Sequence, residues 1–352
     1  MNAPFAIEPG TVDVADLTSE DVLAAIEAFV AEAGGSVFHR PAWLRAVERG
    51  TGQRATGLFA REGGAITSWL PLTEVHSPIF GRMLASSGFA VEGGALSDSP
   101  ATARRLCEAA ERMAVRQSCP TIELRGGFAP DYWHVRSGSH AGFVAPLAEN
   151  DEAQLMAIPR KQRAEIRKGL KADLDVTIGT DERHRAEHYA IYAESVRNLG
   201  TPVFPRQLFE AVLDALDADI LTVRHDGEPV ASVLSFYHDG AIMPYWGGGT
   251  HAARGLRAND RMYYELMLHA RRRGCDRFDF GRSKTGSGAY TFKKNWGFAP
   301  QPMSYASWTA PGHQPRDADP TSARHQSRIA LWKKLPLPVA NRLGPIIARG
   351  LG

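Results

Sequence analysis

GCDRFDFGRSKTGSGAYTFKKNWGF, Gly274 to Phe298, decides how the chain is read. It predicts the end of a helix, a short strand at 277–280, a glycine-rich turn at 281–288 and a short helix at 289–296. Arg282, Lys284, Lys293 and Lys294 crowd into this turn and its borders. A strand that ends in Asp279-Phe280-Gly281 and runs into a flexible basic loop builds a site at the carboxyl end of a sheet strand. A tight connection whose glycines serve only backbone geometry is the plainer alternative. The density of cations favours the site.

Bulk properties bound the rest. At 352 residues the chain has room for two domains, and 43% hydrophobic with 23% charged residues is globular composition. A net charge of +2 excludes a molecule that is basic all over, so no DNA partner is expected and any anion site must come from local clustering. Neither a secretory leader nor an apolar run of about 18 residues is present, which predicts a cytoplasmic protein. Cys107, Cys119 and Cys275 form no CxxC pair, which argues against a disulfide framework and against a structural metal.

Outward from the opening stretch, periodicity predicts a helix at 18–33 capped by Thr18 or Ser19, a second starting at Pro41, and a hairpin of 56–61 with 65–75. A strand at 82–90, a helix at 100–117 and strands at 121–125 and 143–146 follow. The second half reads as one helix at 151–171, a strand at 175–178, helices at 182–198 and 206–216, and antiparallel strands at 219–224, 229–237 and 241–246. A glycine-rich segment, 247–255, then leads to a helix capped by Asn259 or Asp260 and closed by Gly274. In each half a glycine-rich segment, a capped helix and a short strand recur in that order; the strands are Cys119-Pro-Thr-Ile-Glu-Leu-Arg and Cys275-Asp-Arg-Phe-Asp-Phe-Gly. This order predicts a duplicated α/β unit, with domains at 1–148 and 149–309 and a linker and amphipathic basic tail at 310–352.

Four segments carry a family likeness: FHRPAW from Phe38, IELRG from Ile122, PRKQRAEIRKGLK from Pro159 and FDFGRSKTGSGAYTFKKNWGF from Phe278. Over 15–308 the chain resembles the FemAB family of acyl and aminoacyl transferases, and within it the FemAB-related proteins of exosortase (PEP-CTERM) gene clusters. The resemblance implies an α/β fold of mixed sheets in two tandem GNAT-like (acyl-CoA N-acyltransferase) domains. It implies amide formation on an amine of a cell-envelope, peptidoglycan or exopolysaccharide precursor, with acyl-CoA or an aminoacyl donor as co-substrate and no tightly bound cofactor. No long charged coiled-coil insert is present, which argues against a donor carried on transfer RNA. An acyl-CoA-dependent N-acetyltransferase of a small amine, and a non-catalytic GNAT-like scaffold that binds glycan precursors, stay open.

Transfer of an acyl group to an amine needs proximity, a proton acceptor and stabilisation of an oxyanion. Lys293 matches the lysine that assists transfer in the family; an exposed helix lysine is the alternative. The implied splay lies between Tyr245-Trp246 and 278–280. Arg282 and Lys284, ahead of a helix start, suit a pyrophosphate or sugar phosphate, with Tyr290 and Lys294 beside them. Arg254 and Arg257 stand where GNAT domains cradle coenzyme A, although the glycine pattern there is incomplete. Asp279 and Glu123 are candidate acids. Asp279 also reads as a buried carboxylate paired with an arginine, and Glu123 with Arg125 as an acceptor contact. His251 is a further candidate base, and His39 reads as structural. Arg160, Arg163, Arg167 and Lys171 recur at helical spacing, either lining a groove for a nucleotide-sugar or lipid-pyrophosphate sugar, or simply facing water. Ile329, Leu331, Trp332 and Leu335 alternate with Arg328, Lys333 and Lys334. This pattern fits a tail that touches the inner face of a membrane, or one that packs on a partner or on the domains.

Overall fold

The computed structural model describes residues 11–316 and 326–352. Of the predicted linker, 317–325 lies outside the described residues. The first half contributes β1 (Val12–Val14), β2 (Arg54–Glu62), β3 (Ala65–Ser77), β4 (Gly81–Ser86), β5 (Leu96–Ser97), β6 (Thr121–Arg125), β7 (His134–Gly142) and β8 (Val144–Pro146). The second contributes β9 (Asp175–Gly179), β10 (Ala218–His225), β11 (Glu228–His238), β12 (Ala241–Gly249), β13 (Arg277–Asp279), β14 (Ser283–Lys284) and β15 (Gln301–Thr309).

The predicted repeat is visible in the pairing. In the first half β2, β3 and β4 form an antiparallel meander, and β6 returns parallel to β4 at Met83–Ala85 against Thr121–Glu123. In the second, β10, β11 and β12 form the meander, and β13 returns parallel to β12. A helix precedes each return strand: Pro100–Arg116 and Ala258–Arg272. The halves also exchange strands. β8 pairs with β13, while β15 inserts between β6 and β7, and β14 pairs with β7. The sheets therefore run β1-β2-β3-β4-β6-β15-β7-β14, with β5 on β3, and β8-β13-β12-β11-β10-β9.

Local chemistry accounts for most boundaries. Ser19 caps the helix Glu20–Glu32 by accepting from the Val22 N–H, and Ile26 and Val30 are its buried face. The predicted helix 151–171 is two helices, Asp151–Ala157 and Arg160–Lys171. Ile158, ahead of Pro159, is held extended at ψ 137°. The predicted strand 82–90 stops at Ser86, because Ser87 and Phe89 adopt left-handed φ of 49° and 62°. In the glycine-rich 247–255, β12 continues to Gly249 and a short helix, His251–Leu256, follows. The next helix is capped by Arg257 rather than Asn259 or Asp260; the Asp260 carboxylate instead accepts from the Gln162 amide. β7, β14 and β15 have no counterpart in the sequence reading.

One apolar cluster joins the halves. Val37, Phe38 and Trp43 pack with Phe209, Phe236 and Trp246, and the Trp43 indole donates to the Gly88 carbonyl at 3.1 Å. The helices Pro41–Thr51 and Arg206–Ala215 meet at Gly50, where a methyl group would lie 2.8 Å from the Leu208 nitrogen and 2.9 Å from the Gln207 carbonyl. Helix Leu337–Ala348 lies on the second half with Ala340, Gly344 and Ala348 buried, Gly344 against Val203. Among the described residues no helix is long and apolar enough to cross a membrane.

Candidate active site

β12 and β13 pair at only two positions, Ala241 with Arg277 and Ile242 with Phe278. Beyond them the strands part. On its other side β12 slips register: Leu234 faces Trp246 and Ser235 faces Pro244, which bulges Tyr245 out of the ladder. Proline has no N–H to donate, and a bulge is a cheap way to turn a strand there. The gap becomes a cleft of about 300 Å³, walled by Pro244, Tyr245, Trp246 and Gly247 on one side and by Phe280, Gly281, Arg282 and Lys293 on the other. The first half closes it with Phe89, Ala90 and Val91, and Gly352 reaches its rim. The Tyr245 hydroxyl donates to the Phe89 carbonyl at 2.6 Å and ties the two halves together at this point.

Lys293 sits on the helix Gly288–Asn295, whose start is capped by the Ser287 hydroxyl. Phe292 on that helix and Trp296 at its carboxyl cap pack with Tyr263 and Phe280. Lys293 is 9% exposed, between the rings of Phe143 and Phe280 at 5.5 and 5.8 Å. Its ammonium donates to the carbonyls of Gly281 (3.2 Å) and Arg282 (2.9 Å). Gly281 turns through φ 66°, bringing these consecutive carbonyls to the same ammonium. An ammonium has three donors, so one is left for a reactant. Burial lowers the Lys293 pKa to about 8, with the Asp279 carboxylate opposing.

Among the described residues no arginine pairs with Asp279. Its carboxylate accepts from the Gly281 N–H at 2.8 Å. Burial raises its pKa, opposed by that hydrogen bond and by Lys293. A second carboxylate, Glu92, comes from the first half; burial raises its pKa, Ser36 opposes, and the Asp279 charge raises it further. The sequence reading passed over Glu92. It stands in a glycine-rich loop, and only the contact between the halves brings its charge within reach of Asp279.

The other predicted residues divide. Arg282 lines the cleft and donates to the Tyr305 hydroxyl at 2.5 Å. Tyr245 and Trp246 are wall residues. Tyr290 packs its ring edge-on to Phe143 at 5.3 Å and belongs to the core. Lys294 is exposed above the Tyr290 ring, and Lys284 lies on β14. Neither lines the cleft. Glu123 is bonded to Arg125 at 2.9 Å on the first-half side. Burial works to raise its pKa, but Arg125, Arg282 and Arg316 together hold it below the usual value.

Arg163 and Arg167 stay out of the cleft. Their helix buries Gln162, Ile166 and Gly169, while Arg160, Arg167 and Lys171 are exposed. Arg254 is exposed, and Arg257 pairs with Glu165. His251 is exposed at the start of its short helix. His39 is structural: its Nδ1 accepts from the Ser36 N–H, its Nε2 bonds the Gly94 carbonyl, and burial lowers its pKa to about 4.

This geometry has relatives. Residues 160–294 match the family model described as an acetyltransferase (GNAT) domain. Among solved structures, FemX superposes with a TM-score of 0.61 at 15% identity, covering 80% of this chain and 95% of that one. A tandem GNAT protein from the clavulanic acid biosynthesis pathway gives 0.56 at 12% identity, covering 86% and 100%. L-PGS from Bacillus licheniformis gives 0.54 at 14% identity, covering 95% and 97%. No curated protein matches in sequence. The chain is an acyltransferase. It has the FemAB-like double GNAT fold, with the matched domain carrying the splayed strands and Lys293.

Proposed function

We propose that the cleft joins an acyl or aminoacyl group to an amine of a cell-envelope or exopolysaccharide precursor. The observation that carries this reading is the buried Lys293, held by two carbonyls at the mouth of the β12–β13 splay with a donor to spare. The amine nitrogen adds to the acyl carbonyl carbon, and the Lys293 ammonium faces the oxygen that gains charge. Neither Asp279 nor Glu92 lines the cleft, so the nitrogen's proton reaches one of these carboxylates, both of raised proton affinity, by relay from the cleft. The bond from carbon to the thioester sulfur, or to the ester oxygen of an aminoacyl donor, then breaks, and the leaving group takes up that proton. Arg282 stands at the cleft wall to hold a phosphate of either reactant.

The test is transfer itself. Acetyl-CoA and aminoacyl-tRNA are offered separately with amino-sugar nucleotides and muramyl peptides, and products are read by mass. A product heavier by one acyl group with release of the donor's thiol or hydroxyl is expected, and Lys293→Ala should lower kcat/KM at least about 100-fold. Transfer by Lys293→Ala at the wild-type rate would refute the assignment.

A lipid-linked acceptor would bring the protein to a membrane, and the surface supports this. Val339, Leu343 and Ile346 recur on one face of the helix Leu337–Ala348 and are 42%, 42% and 60% exposed, with Lys333, Lys334, Arg342 and Arg349 exposed nearby. Vesicles containing anionic lipid should pellet the wild type and lose Leu343→Glu/Ile346→Glu. Equal pelleting of both proteins removes the membrane from the account.

A further inference from the structure

The first half has a second hollow, which shares no wall residue with the transfer cleft. The helix Pro100–Arg116 packs Leu106, Ala110 and Met113 into the cluster that holds Leu58, Leu70 and Leu84. Towards β1, the outermost strand of this sheet among the described residues, its cover is incomplete. A cavity of about 480 Å³ is left between the last turns of the helix and the β1–β2 pair.

The floor of this cavity is apolar. Val14 faces Leu58 across the β1–β2 ladder, and strand alternation puts Val12 on the same face. Ala109 and Met113 supply the helix side. Val14 stays 60% exposed. The rim is cationic: Arg54 comes from β2, and Arg112 and Arg116 stand one turn apart on the helix. Arg54 lies 3.9 Å from Glu74, whereas among the described residues Arg112 and Arg116 pair with no carboxylate, and no carboxylate lines the cavity. The Gln117 side-chain oxygen, also in the wall, is buried and accepts no hydrogen bond there. A solvated helix face explains the arginines taken alone, but not the uncovered apolar floor between them and β1.

The two features together define an occupant. Guanidinium forks match the oxygens of a phosphate or carboxylate, and the valine floor matches a hydrocarbon chain. The volume lies within the range of small-molecule sites. A peptide is the poorer match, since β1 is three residues long and offers few main-chain partners to an added strand. We propose that this cavity binds an amphipathic anion, a single hydrocarbon chain laid on Val12, Val14 and Leu58 with its phosphate or carboxylate head held by Arg112 and Arg116. The assignment concerns binding and stands whether or not the cleft transfers an acyl group.

Decyl phosphate and decanoate, each below its micelle concentration, are the probes for the two kinds of head. Octyl glucoside and inorganic phosphate are the controls for chain alone and head alone. By calorimetry at constant ionic strength, the wild type should bind at least one probe about tenfold or more tighter than either control. Arg112→Gln/Arg116→Gln and, separately, Val14→Glu alter exposed side chains only, and each should lose that advantage. Leu343→Glu/Ile346→Glu, on the exposed face of helix Leu337–Ala348, should keep it. Probes bound no tighter than the controls would refute the site. So would an advantage that survives either the double arginine change or Val14→Glu, or one that disappears in Leu343→Glu/Ile346→Glu.

Discussion

Lys293 shows what a single residue reveals and conceals in sequence. Its place in the FKK run marks it as a candidate, but nothing in the run distinguishes it from Lys294. The fold does so by helical geometry: Lys293 is buried against Phe143 and Phe280, while its neighbour is exposed. Burial disfavours the charged form, so the ammonium gives up its proton near pH 8 rather than in the usual lysine range. The sign of any effect follows. A step that needs the ammonium is at full strength well below pH 8 and fades as pH rises through it. Asp279 and Glu92 move the other way, since burial favours their neutral forms. Asp279 was visible as an acid in an apolar strand, whereas Glu92 was not, because its loop is joined to the site only across the two halves. Arg163 and Arg167 were read from a cationic stripe at helical spacing, and Arg254 and Arg257 from the family resemblance; a cationic stripe alone does not separate a solvated helix face from a binding wall.

Elements were legible where their chemistry is local. The Ser19 cap, the β2–β3 hairpin and the β10–β12 meander follow from periodicity and turn residues. β7 and β15 were missed because their stability is not local: β15 exists by pairing with β6 on one side and β7 on the other. Its stretch QPMSYASWT has no clean alternation to announce it. The contact between helices Pro41–Thr51 and Arg206–Ala215 makes an element-scale prediction. Gly50 leaves no room for a side chain against the Leu208 backbone, so Gly50→Val must force the helices apart. Overpacking of this kind costs about 1–3 kcal/mol. A drop of that size in unfolding free energy by urea titration is expected, and an unchanged midpoint would mean that the helices do not meet there.

At the scale of the molecule, the duplication read from the order of elements is present as two parallel return strands, β6 and β13. What the order of elements does not convey is the exchange: β8 serves the second sheet, and β14 and β15 serve the first. That exchange, with the Phe38–Trp43–Trp246 cluster, sets the relation of the halves, and so it sets the cleft between them. The β12–β13 gap holds Lys293 and is open, and on the first-half side Arg125 donates to the Gly352 main-chain oxygen. The central claim is that the charged form of Lys293 drives transfer in the open gap. The measurement that bears on it most directly is the pH profile of single-turnover acyl transfer by the wild type and by Lys293→Arg, whose guanidinium stays protonated throughout. The account predicts a wild-type rate that falls as pH rises through about 8 and a variant, slower because its geometry differs, in which that fall is gone. The same falling limb in both proteins would contradict it.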